Sequence, residues 1–240
     1  MKNLVLVISI LALCTGIAGA AGESKTALAV VVSVIGNVEY LPAGQTKWQA
    51  VNQGGFLEKE DQIRTGANSK AAIVFTDGTE VRLNAETTLH VRGLAQKKTG
   101  TGMVNIVRVV VGQIWAKITK SQFPYEIQTS AAIAAVKGTK IDLDVHKDQQ
   151  SIFYVLVGTL EISNEFGSVT AGPMTQTIVN PGKAPEPPTP LNEKGRSDWE
   201  SEIDKKLSPP TKKNLILKLK TDQGERTVRF TFEKDKTNEK

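Results

Sequence analysis

Asp142 and Asp144 are the carboxylates whose spacing invites chemistry. Two residues apart in Ile141-Asp142-Leu143-Asp144-Val145, they fall on one side of a strand, because strand side chains repeat every second residue. Such a pair could work as general acid and base or hold a calcium ion. The simpler reading makes them the solvated side of an amphipathic strand. The two histidines, His90 and His146, lie in separate strand-like runs with no third ligand nearby, and read as structural. Trp48 and Trp115 could stack on a sugar face, although in a chain with 3 Trp, 3 Tyr and 7 Phe they read first as core or rim anchors. No HExxH, GxSxG, SxxK or P-loop pattern occurs. The residue types therefore predict no enzyme, no cofactor and no metal centre.

The elements that would position these residues begin after a leader. Met1-Lys2-Asn3, the apolar run Leu4 to Leu13 and the small residues Ala18-Gly19-Ala20 match the three regions of a secretory signal peptide, expected to cover residues 1–20. The run is shorter than the roughly 20 residues that span a bilayer, and no transmembrane segment is expected after cleavage. Leu11-Ala12-Leu13-Cys14 offers a rival lipoprotein reading, weakened by the bulk of Leu13. Cleavage after Ala20 removes Cys14, the sole cysteine, so stability must come from packing without disulfides. Thiolate nucleophiles and zinc-thiolate sites go with it.

From Val30 to Val179 short apolar, β-branched runs alternate with Gly, Asn and Asp, which reads as strands. The runs are Val30 to Val34, Val38 to Leu41, Ala71 to Phe75, Val81 to Leu83, Met103 to Val111, Ile114 to Ile118, Ile141 to Val145, Ile152 to Val157, Leu160 to Ser163 and Thr175 to Val179. Ile152 to Val157 is apolar throughout and reads as central. At 240 residues with 40% hydrophobic and 23% charged residues, the chain can build a core over most of its length. The expected class is all-β, a solenoid-like or sandwich stack of short strands over residues 30–180. Asp77-Gly78-Thr79, Lys137-Gly138-Thr139 and Val157-Gly158-Thr159 each place a turn-forming Gly before a strand-starting Thr.

Composition changes at Asn180. Half of the 10 prolines fall in residues 181–190, predicted to be an extended linker and a domain boundary. Residues 191–240 follow as a basic segment. Ser197 to Leu207 predicts a short helix with Trp199, Ile203 and Leu207 on one face. A β-hairpin is expected from Leu215 to Lys220 and from Thr227 to Phe232 around Asp222-Gln223-Gly224. From Lys205 onward 11 Lys and Arg stand against 5 Asp and Glu, although the whole chain carries only +5. Such a segment could meet an anionic envelope surface or acidic glycan, or its alternating lysines could simply protect strand edges. Nucleic acid is not expected as a partner of an exported chain.

In order along the chain, Gly36-Asn37-Val38, Trp48 to Gly54, Asp61-Gln62-Ile63-Arg64-Thr65-Gly66, Ala71 to Leu83 and Val111-Gly112-Gln113-Ile114 precede Ile127 to Ser130, Ala135 to Thr139, Val157 to Ile162 and Ala171-Gly172. This set resembles the FecR domain, a bacterial extracytoplasmic module. The resemblance implies a non-enzymatic, all-β, periplasmic or cell-surface protein that acts through contacts with envelope proteins, in signalling or assembly. Its best-known type is a membrane-spanning regulator of a sigma factor. This chain departs from that type, with no cytoplasmic anti-sigma region and with Lys137 where Arg usually stands before Gly-Thr. Arg64, Gly66, Asp77, Gly78, Lys137, Gly138, Thr139 and Gly158 are expected to shape turns and bridge neighbouring strands. Trp115, Lys218, Lys220 and Arg229 are the expected partner contacts. The alternative is an envelope scaffold or adhesin that binds peptidoglycan or another acidic glycan through the basic segment and Trp115.

Overall fold

A computed structural model describes residues 27–96, 102–119, 122–192, 213–221 and 224–232. The expected leader and the expected helix at 197–207 lie outside the described residues. The fold is all-β, an open stack of short strands, as the alternating apolar runs require.

In chain order the strands are β1 (Ala29–Ile35), β2 (Val38–Leu41), β3 (Gln49–Ala50), β4 (Phe56–Leu57), β5 (Asp61–Thr65), β6 (Lys70–Phe75), β7 (Glu80–Leu83) and β8 (Thr88–Gln96). Next come β9 (Met103–Lys117), β10 (Tyr125–Gln128), β11 (Ile133–Val136), β12 (Lys140–Val145) and β13 (Ser151–Val157). Then follow β14 (Leu160–Asn164), β15 (Gly167–Ala171), β16 (Thr175–Val179) and β17 (Thr189–Pro190). Pairing sorts them into two layers. The first runs β4-β1-β6-β7-β9-β12-β13-β16-β17. The second runs β3-β2-β5-β8-β9-β10-β11-β14-β15. Every pair is antiparallel except β9 with β10.

Strand β9 belongs to both layers. Residues up to Val111 pair with β8 and β10, and residues from Gly112 pair with β7 and β12. The sequence suggested two strands, Met103 to Val111 and Ile114 to Ile118, with Gly112 and Gln113 between them. The structure instead keeps one strand that changes layer there. Gly112 makes the change through φ +96°, and an added Cβ would lie 2.5 Å from Thr87 Cα. The Thr87 hydroxyl fills that corner, accepting from Gln113 N–H at 3.0 Å.

One apolar core lies between the layers. In the first, Leu83, Ile114, Leu143 and Phe153 form a continuous cross-strand row, each fully buried. In the second, Ile63, Leu89 and Val109 do the same. The Phe75 ring from β6 meets the Tyr125 ring from β10 edge-on at 6.0 Å, fastening one layer to the other. Each such fully buried side chain is worth roughly 1.5–3 kcal/mol relative to exposure.

The proline-rich stretch, expected as an extended spacer, is in part laid along the first layer. Thr175 and Gln176 pair with Pro190 and Thr189, and the amides of Glu186 and Leu191 donate to Ile178 O and Met174 O. Prolines lack the N–H, but the residues between them keep theirs. Beyond it, β18 (Lys213–Thr221) and β19 (Gly224–Phe232) form a separate two-stranded antiparallel sheet.

Candidate functional site

The signature residues are gathered into turn devices. In the β6–β7 hairpin, Asp77 Oδ1 accepts from Thr79 N–H at 2.9 Å, and its backbone carbonyl accepts from the Thr119 hydroxyl at 3.0 Å. The Thr79 and Thr119 hydroxyls meet at 3.2 Å, tying the hairpin to the end of β9. Tyr125 stands beside this turn. Burial pushes its phenol well above the ordinary range, Thr79 partly offsets that by hydrogen bonding, and the Asp77 charge adds to it. Two of the three Gly-Thr turns have a further task, since Lys137-Gly138-Thr139 and Gly158-Thr159 carry the chain from one layer to the other. They touch each other: a Cβ on Gly158 would come 2.6 Å from Thr139 Cγ2. Ile118 N–H donates to Thr139 O at 2.9 Å, which joins that crossing to β9 as well.

Arg64 bridges strands. Its Nη2 lies 2.8 Å from Glu39 Oε2 on β2, and its guanidinium sits 4.1 Å over the Trp48 ring. The group is partly exposed, so the ion pair adds at most about 1 kcal/mol. Gly66 donates its N–H to Asn37 O and accepts from Glu86 N–H, at the junction of β2, β5 and the β7–β8 turn.

On the outer face of the first layer, register places Arg82, Trp115, Asp142, Tyr154 and Gln176 side by side on five consecutive strands. This face departs from the solvated side that alternation predicts. Asp142 is 0% exposed, Trp115 and Tyr154 are 4% exposed and Arg82 is 7% exposed. The reason is cross-strand neighbourhood, because a short carboxylate between two large aromatic side chains is screened by them. The Arg82 guanidinium lies 4.6 Å over the Trp115 ring and also bonds Glu80 Oε1 at 2.6 Å. Trp115 therefore presents no open ring to a sugar or a partner. Asp144 lies further along the same face, with His146 Nε2 3.4 Å from its Oδ2. Burial holds the Asp144 carboxyl above its usual range, and His146 partly offsets this. Burial, then the Asp144 and Asp142 charges, also raise Tyr154. Asp142 has no accessible surface while Asp144 is partly exposed, so the two carboxylates do not line one open site together. His90 Nε2 lies 2.9 Å from Glu60 Oε2. Among the described residues no three His, Cys, Asp or Glu stand close enough to hold a metal ion.

Among the described residues, what stays open is backbone at the ends of the layers. The first layer ends at β4 and β17 and the second at β3, all two-residue strands. The second layer's other end is β15, a five-residue strand whose first four residues are not buried. Lys218, Lys220 and Arg229 sit in the separate hairpin, where Lys218 is opposite Thr227, Lys220 opposite Glu225 and Arg229 opposite Ile216. Sequence reading passed over β15, Tyr154, Arg82 and the hydroxyls of Thr87 and Thr119. A signal existed for β15 alone: Asn164-Glu165-Phe166-Gly167 is a short polar turn ahead of Ser168-Val169-Thr170, a β-prone run.

Residues 61–161 match the family described as FecR protein. No curated protein matches. Among solved structures, two crystal structures of a candidate anti-sigma factor from Parabacteroides distasonis ATCC 8503, at 2.50 and 1.65 Å resolution, are similar. Each has a TM-score of 0.46 and 19% identity, covering 55% of this chain and 60% of its own. This chain thus spans about three fifths of the length of the structures it resembles. No helix among the described residues is long and apolar enough to cross a membrane. The matched span runs from β5 to the start of β14, and over that span the chain is similar to the FecR family.

Proposed function

We propose that this chain is an exported, non-enzymatic interaction module of FecR type, placed in the periplasm or at the cell surface and working in envelope signalling or assembly. One observation carries the reading. The polar signature groups are spent inside the fold on turns and crossings, whereas backbone at a sheet edge stays open to a partner. Strand addition uses such an edge, with main-chain bonds for affinity and alternate side chains for selection. The signature residues Arg64, Gly66, Asp77, Gly78, Lys137, Gly138, Thr139 and Gly158 act as scaffold, and Lys218, Lys220 and Arg229 tune contact. Trp115 acts from beneath, as the ring that seats Arg82.

The test is crosslinking in intact cells followed by capture of the full chain, at low and high salt. Recovery of a defined envelope signalling or assembly protein that persists in high salt supports the reading. Recovery of cell-wall glycan alone, released by salt, overturns it in favour of an electrostatic adhesin, because exposed charge contacts are screened within about 3 Å at 1 M salt. Recovery of nothing in either condition also overturns it.

A further inference from the structure

Strand β15 closes on β14 through a two-residue turn, with Asn164 opposite Gly167. In an antiparallel pair that starts this way, Asn164/Gly167, Ile162/Val169 and Leu160/Ala171 exchange both backbone bonds, while Ser163/Ser168 and Glu161/Thr170 do not. The N–H and C=O groups of Ser168 and Thr170 therefore point away from β14. Both residues are exposed, and neither backbone has a hydrogen-bond partner outside its own strand pair among the described residues. Proteins usually blunt such an edge with charge, proline or brevity. Gly167-Ser168-Val169-Thr170-Ala171 has no charge and no proline, and at five residues it outlasts the two-residue strands at the other three ends.

The same polypeptide carries a candidate occupant. The β18–β19 sheet has two nine-residue strands paired with each other and, among the described residues, with no further strand. Its register aligns Leu215 with Phe230 and Leu217 with Val228 at alternate positions, so one face is apolar by sequence. A lone two-stranded sheet with such a face is marginal in water, and among the described residues each strand keeps one edge unpaired. Charge also matches. The described hairpin holds Lys213, Lys218, Lys220, Arg226 and Arg229 against Glu225, whereas from Glu161 to Ala171 the ionisable side chains are Glu161 and Glu165.

We infer that the open edge of β15 receives the C-terminal hairpin of a second copy of this chain, which continues the second layer by strand addition. Reciprocal exchange closes a two-fold dimer, whereas one-way addition would propagate into a chain of copies. This goes beyond the proposed function and is separable from it, because self-association and capture of an envelope partner are read independently.

The experiment uses the full mature chain. Sedimentation over a wide concentration range gives the oligomeric state, and amide hydrogen exchange reads Ser168 and Thr170. Expected are a concentration-dependent dimer and slowed exchange at both amides. Thr170→Pro removes an outward N–H that the β14 ladder does not use, and should weaken the dimer by about tenfold or more. Thr170→Lys, which merely adds an edge charge, should weaken it too if the proline variant fails to fold. A monomer at all concentrations with fast-exchanging Ser168 and Thr170 amides overturns the inference. So does a monomer with slow amides, which would mean that the chain's own hairpin occupies the edge. A dimer unchanged by both folded variants places the joint elsewhere and overturns it as well. Loss of the dimer with retained capture of an envelope protein supports the inference and leaves the proposed function standing.

Discussion

Replacing Gly112 by alanine tests the claim that β9 changes layer because its backbone passes against Thr87. An added Cβ would lie 2.5 Å from Thr87 Cα and Thr87 Oγ1 and 2.8 Å from Glu86 O, and two of those three atoms are backbone that cannot swing aside. The residue also has φ +96°, which costs an L-residue roughly 1–2 kcal/mol. Overpacking adds about 1–3 kcal/mol, giving about 2–5 kcal/mol in total. With a urea slope of roughly 2 kcal/mol per M, the midpoint falls by about 1–2.5 M. Two controls separate the causes. Gly44 has φ +74° with nothing within 4 Å of an added Cβ, so Gly44→Ala carries only the conformational cost, about 1 kcal/mol. Gly172 has open space and no positive φ, so Gly172→Ala stays within about 0.5 kcal/mol of the parent. Urea titration followed by tryptophan emission suits the measurement, since Trp115 lies three residues further along β9. If Gly112→Ala unfolds at the same midpoint as Gly44→Ala, close approach to Thr87 does not hold the crossing and the reasoning fails.

Asp144→Asn should stabilise the protein at neutral pH. The folded carboxyl is held above its unfolded value of about 4, so the native state keeps its proton longer and wild-type stability falls as pH rises through that window. The advantage of the variant over wild type should vanish below about pH 4, and a variant equally stabilised at pH 3 and pH 7 would contradict this. Tyr125→Phe should remove part of the loss of stability above about pH 10, where the unfolded phenol ionises and the buried one does not. Thermal melts at pH 8 and pH 11 decide it, and identical losses in both proteins would refute the link. Leu143→Ala, in the middle of the buried row that joins Ile114 to Phe153, should cost about 2–5 kcal/mol in denaturant titration. A cost below about 1 kcal/mol would mean that the row is not a load of the core.

Much of the strand content was readable before any coordinates. Val38 to Leu41, Ile141 to Val145, Ile152 to Val157 and Thr175 to Val179 are strands over those same residues, because β-branched runs bounded by turn residues leave few alternatives. The weakly apolar strands β10 and β11 and the edge strand β15 were not read, since Tyr125-Glu126-Ile127-Gln128 and Gly167 to Ala171 acquire strand character from their neighbours. Alternation placed Asp142 on the outer side of β12, yet its burial depends on Tyr154 from the next strand and on Trp115 from β9, whose place beside β12 only the assembled sheet sets. Gly112 stands between two apolar runs that read as separate strands, yet its positive φ lets the pairing continue on either side.

By itself the sequence determined that this protein folds as short pleated runs separated by glycine turns, since side-chain branching and backbone freedom are local properties. Tertiary structure alone decided that one strand serves two layers, that a carboxylate on the outer face is shut away between aromatic rings, and that the outward backbone groups of β15 have no partner among the described residues. Those outcomes depend on which strand lies beside which, and register between distant segments is fixed only when the whole core is packed.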